Sequence, residues 1–292
     1  YYASRGLGDV YKRQRVSRMK NLFLLLVMGI LSLSCNASDA VKTKYSISSM
    51  YSGTIGKSNI TMNLVISDGN VSGSYIYNKY KNKILLSGVM DSNIVKLIEK
   101  TNNSAATITL FRASNGYAGQ WCNKKCVPVI IQVNSSFKDG ELKDVKVEDS
   151  DLGVYKVDLI FKDKNESVIV TDAIDPPSLD FLDINGDGFY DLIVRTDHRP
   201  NNGSQVIYLS GNNEFIKYND LSKENGTAVY DPYKKNIVFN SKNDCCNKFR
   251  KVIYSLDNGE FVRVDDLFFD YSSNKGKDSK GGDISKDRFE SY

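Results

Sequence analysis

SNITMNLVISDGNVSGSYIY, residues 58–77, decides the fold class. Ile60, Met62, Leu64 and Ile66 recur at every second position, the period of a strand with one buried face. Ser67-Asp68-Gly69-Asn70 has turn chemistry, and Val71 to Tyr77 returns as the partner strand. Further runs follow at Ile84 to Val89 and Ile94 to Glu99, joined by Met90-Asp91-Ser92-Asn93, and then at Thr107 to Phe111, Gly116 to Trp121 and Val127 to Val133. Short runs joined by short turns predict an antiparallel meander over residues 44–136, each strand pairing with the next. Ser52-Gly53, Ser72-Gly73, Ser87-Gly88 and Ala118-Gly119 recur in successive hairpins, a loose internal similarity that predicts a curled sheet or small barrel.

Ser135 to Leu152 is rich in Asp and Lys and reads as a connection. Beyond it Val154 to Phe161, Ser167 to Val170, Gln205 to Leu209, Glu214 to Lys217, Ile237 to Asn240, Phe249 to Ser255 and Phe261 to Val264 read as a second β unit over residues 153–268. No helical period of useful length interrupts them. Residues 269–292 hold Lys, Asp, Ser and Gly with few apolar groups and read as a disordered tail. The fold class is therefore all-β.

The chain's formal charge of +4 invites a nucleic-acid partner, but its source is local. Residues 1–34 hold six basic groups against one acid, so 39 basic and 35 acidic residues fall to 33 and 34 without them, a net charge of −1. No nucleic-acid partner is implied. Residues 1–18 read as a non-native leader, with Tyr1 to Gln14 resembling translated adapter sequence, and Met19 as the true start. Residues 19–37 read as a signal peptide: Lys20 is its positive end, and Leu22 to Leu33 form an apolar stretch too short for a membrane span. Cys35 is a lipidation candidate of the bacterial type, the alternative being cleavage after Ala37. The expectation is export to the periplasm or outer envelope, with membrane contact only through such a lipid anchor. Export makes Cys122, Cys126, Cys245 and Cys246 disulfide candidates. Cys122 and Cys126 flank the turn-like Asn123-Lys124-Lys125, so a hairpin staple is the simplest pairing. Zinc is the rival use of these thiols, but the only histidine is His198.

Asp183-Ile184-Asn185-Gly186-Asp187-Gly188-Phe189-Tyr190-Asp191 reads as a calcium loop. Asp183, Asn185 and Asp187 alternate oxygen ligands, Gly188 permits the turn, Phe189 offers its carbonyl and Asp191 closes the ring. The twelfth position, a bidentate Glu in an EF-hand, is Val194, and the flanks Ser178 to Leu182 and Leu192 to Val194 are strand-like. A calcium-clipped β-hairpin of weak, extracellular-type affinity is expected, on the order of 10⁻⁴ M. Lewis-acid catalysis would need an open site beside a positioned base, and none is evident, so the protein reads as a non-enzyme.

With its flanking strands, Val206 to Leu209, and Asn213 to Ile216 with Asp220-Leu221 downstream, the loop resembles exported bacterial single-DxNxDG-loop β proteins, FG-GAP-like and propeller-like. Members of that family include periplasmic lysozyme inhibitors and immunity proteins against lytic effectors. The resemblance covers about residues 153–265 and implies a propeller-like unit with one calcium hairpin, and a protein partner of the cell-wall hydrolase class. Asp197, His198 and Arg199 are the expected partner-binding residues, on loops near the metal. An envelope carbohydrate- or surface-binding module is the alternative, with Trp121, Tyr75, Tyr77 and Tyr80 as platform and Lys79, Lys81 and Lys83 beside it.

Overall fold

Strand β1 (Tyr45–Ile55) is shared by two parts of the molecule. One edge pairs with β2 (Ser58–Ser67) from Ile47 to Ile55. The other edge is divided: Tyr51 to Ile55 pair antiparallel with β8 (Lys125–Val133), whereas Tyr45 to Ser48 pair in parallel with β12 (Ser178–Leu182). The first pairing closes a barrel, and the second extends its sheet into the rest of the chain. The computed structural model describes residues 44–100, 105–199, 202–211, 214–242 and 247–292. The signal segment, Cys35, Cys245 and Cys246 lie outside them. Among the described residues no helix is long and apolar enough to cross a membrane.

The barrel has eight antiparallel strands in sequence order: β1, β2, β3 (Asn70–Tyr77), β4 (Lys83–Asp91), β5 (Ile94–Lys100), β6 (Thr107–Ala113), β7 (Gly116–Asn123) and β8. Alternation fills its interior. Ile60, Met62 and Leu64 are buried as their spacing requires, and Leu97, Ile108, Leu110 and Ile131 meet them. The small-residue pairs mark where the wall bends. A Cβ on Gly53 would stand 2.0 Å from the Ile130 carbonyl oxygen, and one on Gly88 1.8 Å from that of Lys96. Neighbouring backbones cross too closely there for any side chain, which lets a short sheet coil shut. The Cys122–Cys126 disulfide joins directly opposed positions of the β7–β8 hairpin.

Tyr75 and Trp121 belong to this interior and do not form an outward platform. Both donate hydrogen bonds to the buried carboxylate of Glu99. Tyr77 packs on the same core and only Tyr80 is exposed. Lys83 lies 3.5 Å from Asp231 and over the Tyr233 ring, so it attaches the barrel wall to a later turn.

The second half packs three sheets face to face. β9 (Leu142–Asp151), β10 (Val154–Phe161) and β11 (Asn165–Val170) form one sheet. β12, β13 (Asp191–Asp197), β14 (Ser204–Ser210) and β15 (Phe215–Lys217) continue the barrel's sheet, and a one-turn helix α1 (Asn219–Ser222) follows. β16 (Thr227–Asp231), β17 (Asn236–Lys242), β18 (Lys248–Asp257), β19 (Glu260–Asp270), β20 (Lys275–Lys277) and β21 (Asp283–Ile284) form the third sheet, with α2 (Lys286–Glu290) after it. The middle sheet is buried on both faces. Leu179, Phe181, Leu192 and Val194 meet Val157, Leu159 and Val168 on one side, while Leu182, Ile193 and Ile207 meet Ile237, Phe239 and Val252 on the other.

Two expected boundaries move. The 135–152 connection contains β9, whose alternating Val145 and Val147 are buried beneath its charged residues. The 269–292 tail is folded, because a few apolar groups suffice where a sheet face already waits. Ile284 and Phe289 join Val238, Ile253, Leu267 and Phe269, and Lys251 Nζ donates to the carbonyls of Phe289 and Tyr292 at 2.9 and 2.8 Å.

Gly88→Ala should destabilise the protein by about 1–3 kcal/mol, because backbone atoms rather than a yielding side chain occupy the space. Urea unfolding measures this, and an unchanged midpoint would show that the strand crossing is not close.

Candidate functional site

The β12–β13 hairpin carries the Asp183–Asp191 segment at its tip, with Leu182 paired to Asp191 at its base. Inside the loop, side-chain oxygens accept from the loop's own amides. Asp183 Oδ1 accepts from the Gly186 N–H at 2.7 Å, and Oδ2 from the Gly188 N–H at 3.0 Å. Asn185 Oδ1 accepts from the Asp187 N–H at 3.1 Å, and Asp187 Oδ1 from the Phe189 N–H at 2.8 Å. Such Asx turns fold the chain around its short polar side chains. Gly186 and Gly188 have φ of 73° and 87°, a left-handed backbone that glycine adopts without a steric penalty.

Asp191 is fully buried at the start of β13. Its Oδ2 accepts from the amides of Ile184 and Asn185 at 2.8 and 3.3 Å, and its Oδ1 from that of Ser210 on β14 at 2.8 Å. Burial pushes this carboxyl up to about 7; the three amides pull it down, and the Asp187 charge adds to the rise.

All the donor atoms here are oxygens, which suits a hard cation such as calcium. A carboxylate has roughly four acceptor positions. Asp183 uses three, counting the Ser135 hydroxyl 3.0 Å from Oδ2, and Asp191 also uses three. Among the described residues no three His, Cys, Asp or Glu side chains converge as a metal cluster. Asp191 turns its oxygens onto amides, so the groups left to face an ion are Asp183, Asp187, the Asn185 side-chain oxygen and the Phe189 carbonyl. A hard cation at this loop would have to be held by these oxygens.

The residues leaving the barrel clamp the loop. Ser136 pairs with Phe189 in a parallel bridge, its N–H donating to the Gly188 carbonyl and its carbonyl accepting from the Tyr190 N–H, both at 3.0 Å. The Phe137 ring lies 4.7 Å from that of Tyr190 and 5.3 Å from that of Phe181. A cleft of about 400 Å³ opens beside the loop, bordered by Asp183, Gly186, Asn63, Lys81, Tyr230 and Lys235. Burial, and then the charges of Asp183 and Asp191, push the Tyr230 phenol well above its ordinary range.

Asp197, His198 and Arg199 are not near this loop. Asp197 ends β13 and the other two follow it; Asp197 is six residues from Asp191 and so roughly 20 Å away at the usual rise per strand residue. Asp197 is buried and accepts from Arg199 Nε at 2.7 Å. His198 Nε2 is 3.1 Å from the Ser178 hydroxyl, and its Nδ1 is 3.8 Å from Asp175. The connectivity is that of a Ser-His-Asp triad, but the carboxylate leg exceeds hydrogen-bond length. Asp175 is also 57% exposed, so among the described residues no buried carboxylate holds the imidazole in the tautomer a general base requires.

Sequence reasoning passed over Ser135, Ser136, Tyr230 and Ser210. Only a Ser-rich stretch after the last barrel strand hinted at the first two. Comparison with family models, curated proteins and solved structures found no match.

Asp191→Ala should cost on the order of 3 kcal/mol in urea unfolding, since it strands three backbone donors beneath the loop. A change within experimental error would show that those donors find other acceptors.

Proposed function

We propose that the mature chain is an exported, calcium-stabilised, non-catalytic binding protein, of the class of inhibitors or immunity proteins against peptidoglycan hydrolases. The observation that carries this reading is the closure of the Asp183–Asp191 loop on its own amides and on Ser135, Ser136 and Ser210. A loop held this way acts as a clip between elements and not as an open centre. Asp183, Asn185, Asp187 and the Phe189 carbonyl would hold calcium. The ion would offset the repulsion between Asp183 and Asp187 and stiffen the tip of the hairpin, while Asp191 keeps the loop seated from beneath.

Partner contact is assigned to the metal end of the hairpin, where Lys81, Lys235 and Tyr230 border the cleft with Asp183. Aromatic and cationic groups around a concave floor suit protein recognition. Asp197, His198 and Arg199 form a separate surface at the opposite end. The hydrolase class rests on the likeness of the loop and its flanking strands to periplasmic lysozyme inhibitors. A carbohydrate platform has less support, because Trp121 and Tyr75 are committed to Glu99 inside the barrel.

The test is a cell-wall lysis assay with a panel of muramidases and amidases, each mixed with the purified mature protein in calcium and in EDTA. Inhibition of at least one hydrolase, weaker in EDTA and weakened by Lys235→Glu, is expected. Tight binding to isolated glycan with every hydrolase left fully active would contradict the proposal.

A further inference from the structure

The barrel has an open mouth at the end where β1 enters, opposite the Cys122–Cys126 hairpin. A cleft of about 410 Å³ lies there, within the range of roughly 300–1,000 Å³ usual for small-molecule sites, which barrel mouths often supply. Its walls include Ile47, Ile66, Met90 and Val133. Its floor is phenolic: Tyr51, Tyr117 and Tyr190 are buried, and the Tyr190 hydroxyl is 2.6 Å from that of Ser49.

Two donors at this mouth are uncommitted. The Tyr117 hydroxyl bonds no protein group among the described residues, and its oxygen is not sealed from solvent. Arg112, on the rim, is exposed and forms no ion pair among the described residues. Its charge reaches the phenols of Tyr51 and Tyr117 and offsets part of the rise that burial imposes on both. Asp68, also bordering the cleft, already has a partner.

A guanidinium offers a planar fork that matches the two oxygens of a carboxylate, and a phenolic O–H adds a third donor. The apolar walls would reward a hydrocarbon or aromatic body with burial. We infer that the barrel mouth binds a small monocarboxylate with an apolar body, its carboxylate on Arg112 and Tyr117 and its body against Ile66, Met90 and Val133. This site goes beyond the binding-protein reading and uses no metal.

The probes are hexanoate and benzoate, titrated into the full mature chain in EDTA and followed by ¹H–¹⁵N NMR. Saturable shifts at Asn115, Gly116 and the Arg112 side chain are expected, with binding weakened ~10-fold or more by Arg112→Gln and several-fold by Tyr117→Phe. Both variants should keep the wild-type melting temperature to within a few degrees, which separates lost binding from lost folding. The inference is overturned if neither carboxylate gives saturable shifts at the mouth, or if Arg112→Gln binds as tightly as wild type. Inorganic phosphate binding as tightly as hexanoate would also overturn it, because the apolar walls would then contribute nothing.

Discussion

A strand has only two edges, and the division of one edge of β1 is the constraint on which the rest of the structure depends. Tyr51 to Ile55 close the barrel against β8, and Tyr45 to Ser48 hold β12. A full-length closure would leave β12 without a neighbour on that side, and a full-length pairing with β12 would leave the barrel open. Gly53 sits in the closing segment, where it allows the backbone of β8 to cross. Because one strand serves both parts, the barrel and the middle sheet form one continuous twelve-stranded sheet within one compact unit.

The polar groups collect where the two parts meet. Where the chain leaves β8, Ser135 and Ser136 bind the tip of the β12–β13 hairpin at once. Asp191 then ties the hairpin's base to β14 through Ser210. Tyr233 reaches back from the third sheet, its hydroxyl donating to the Ser74 carbonyl at 2.7 Å. Both clefts flank this junction, with Ser135 bordering each of them. Rigid sheets meeting at a polar joint offer recessed surfaces without any large irregular segment to order on binding.

Local patterns in the sequence were legible. Period-two alternation placed Ile60, Met62 and Leu64 inside, and the repeated Ser-Gly pairs pointed to a curled wall that closes as a barrel. Cys122 and Cys126 flank their turn and are bridged. Long-range choices were not legible: alternation says which face is buried but not which strand lies alongside, so the parallel pairing of Tyr45–Ser48 with Leu179–Leu182 had no local signal. Charge hid β9, because Val145 and Val147 alternate with Asp, Lys and Glu. The C-terminal segment misled for a different reason, since Ile284 and Phe289 fold onto a surface made elsewhere. The separation of His198 from the Asp183–Asp191 loop was countable in advance, because the six strand residues Leu192 to Asp197 lie between them.

We propose that the Asp183–Asp191 loop is a calcium clip at the joint between barrel and sheets. Amide hydrogen exchange of the mature protein, followed residue by residue in calcium and in EDTA, tests it most directly. The account predicts that calcium slows exchange at Gly186, Gly188 and Phe189 by ~10-fold or more, spreads protection to Ser136, and leaves the far end of β13 unchanged. Identical exchange at these amides in millimolar calcium and in EDTA would contradict it.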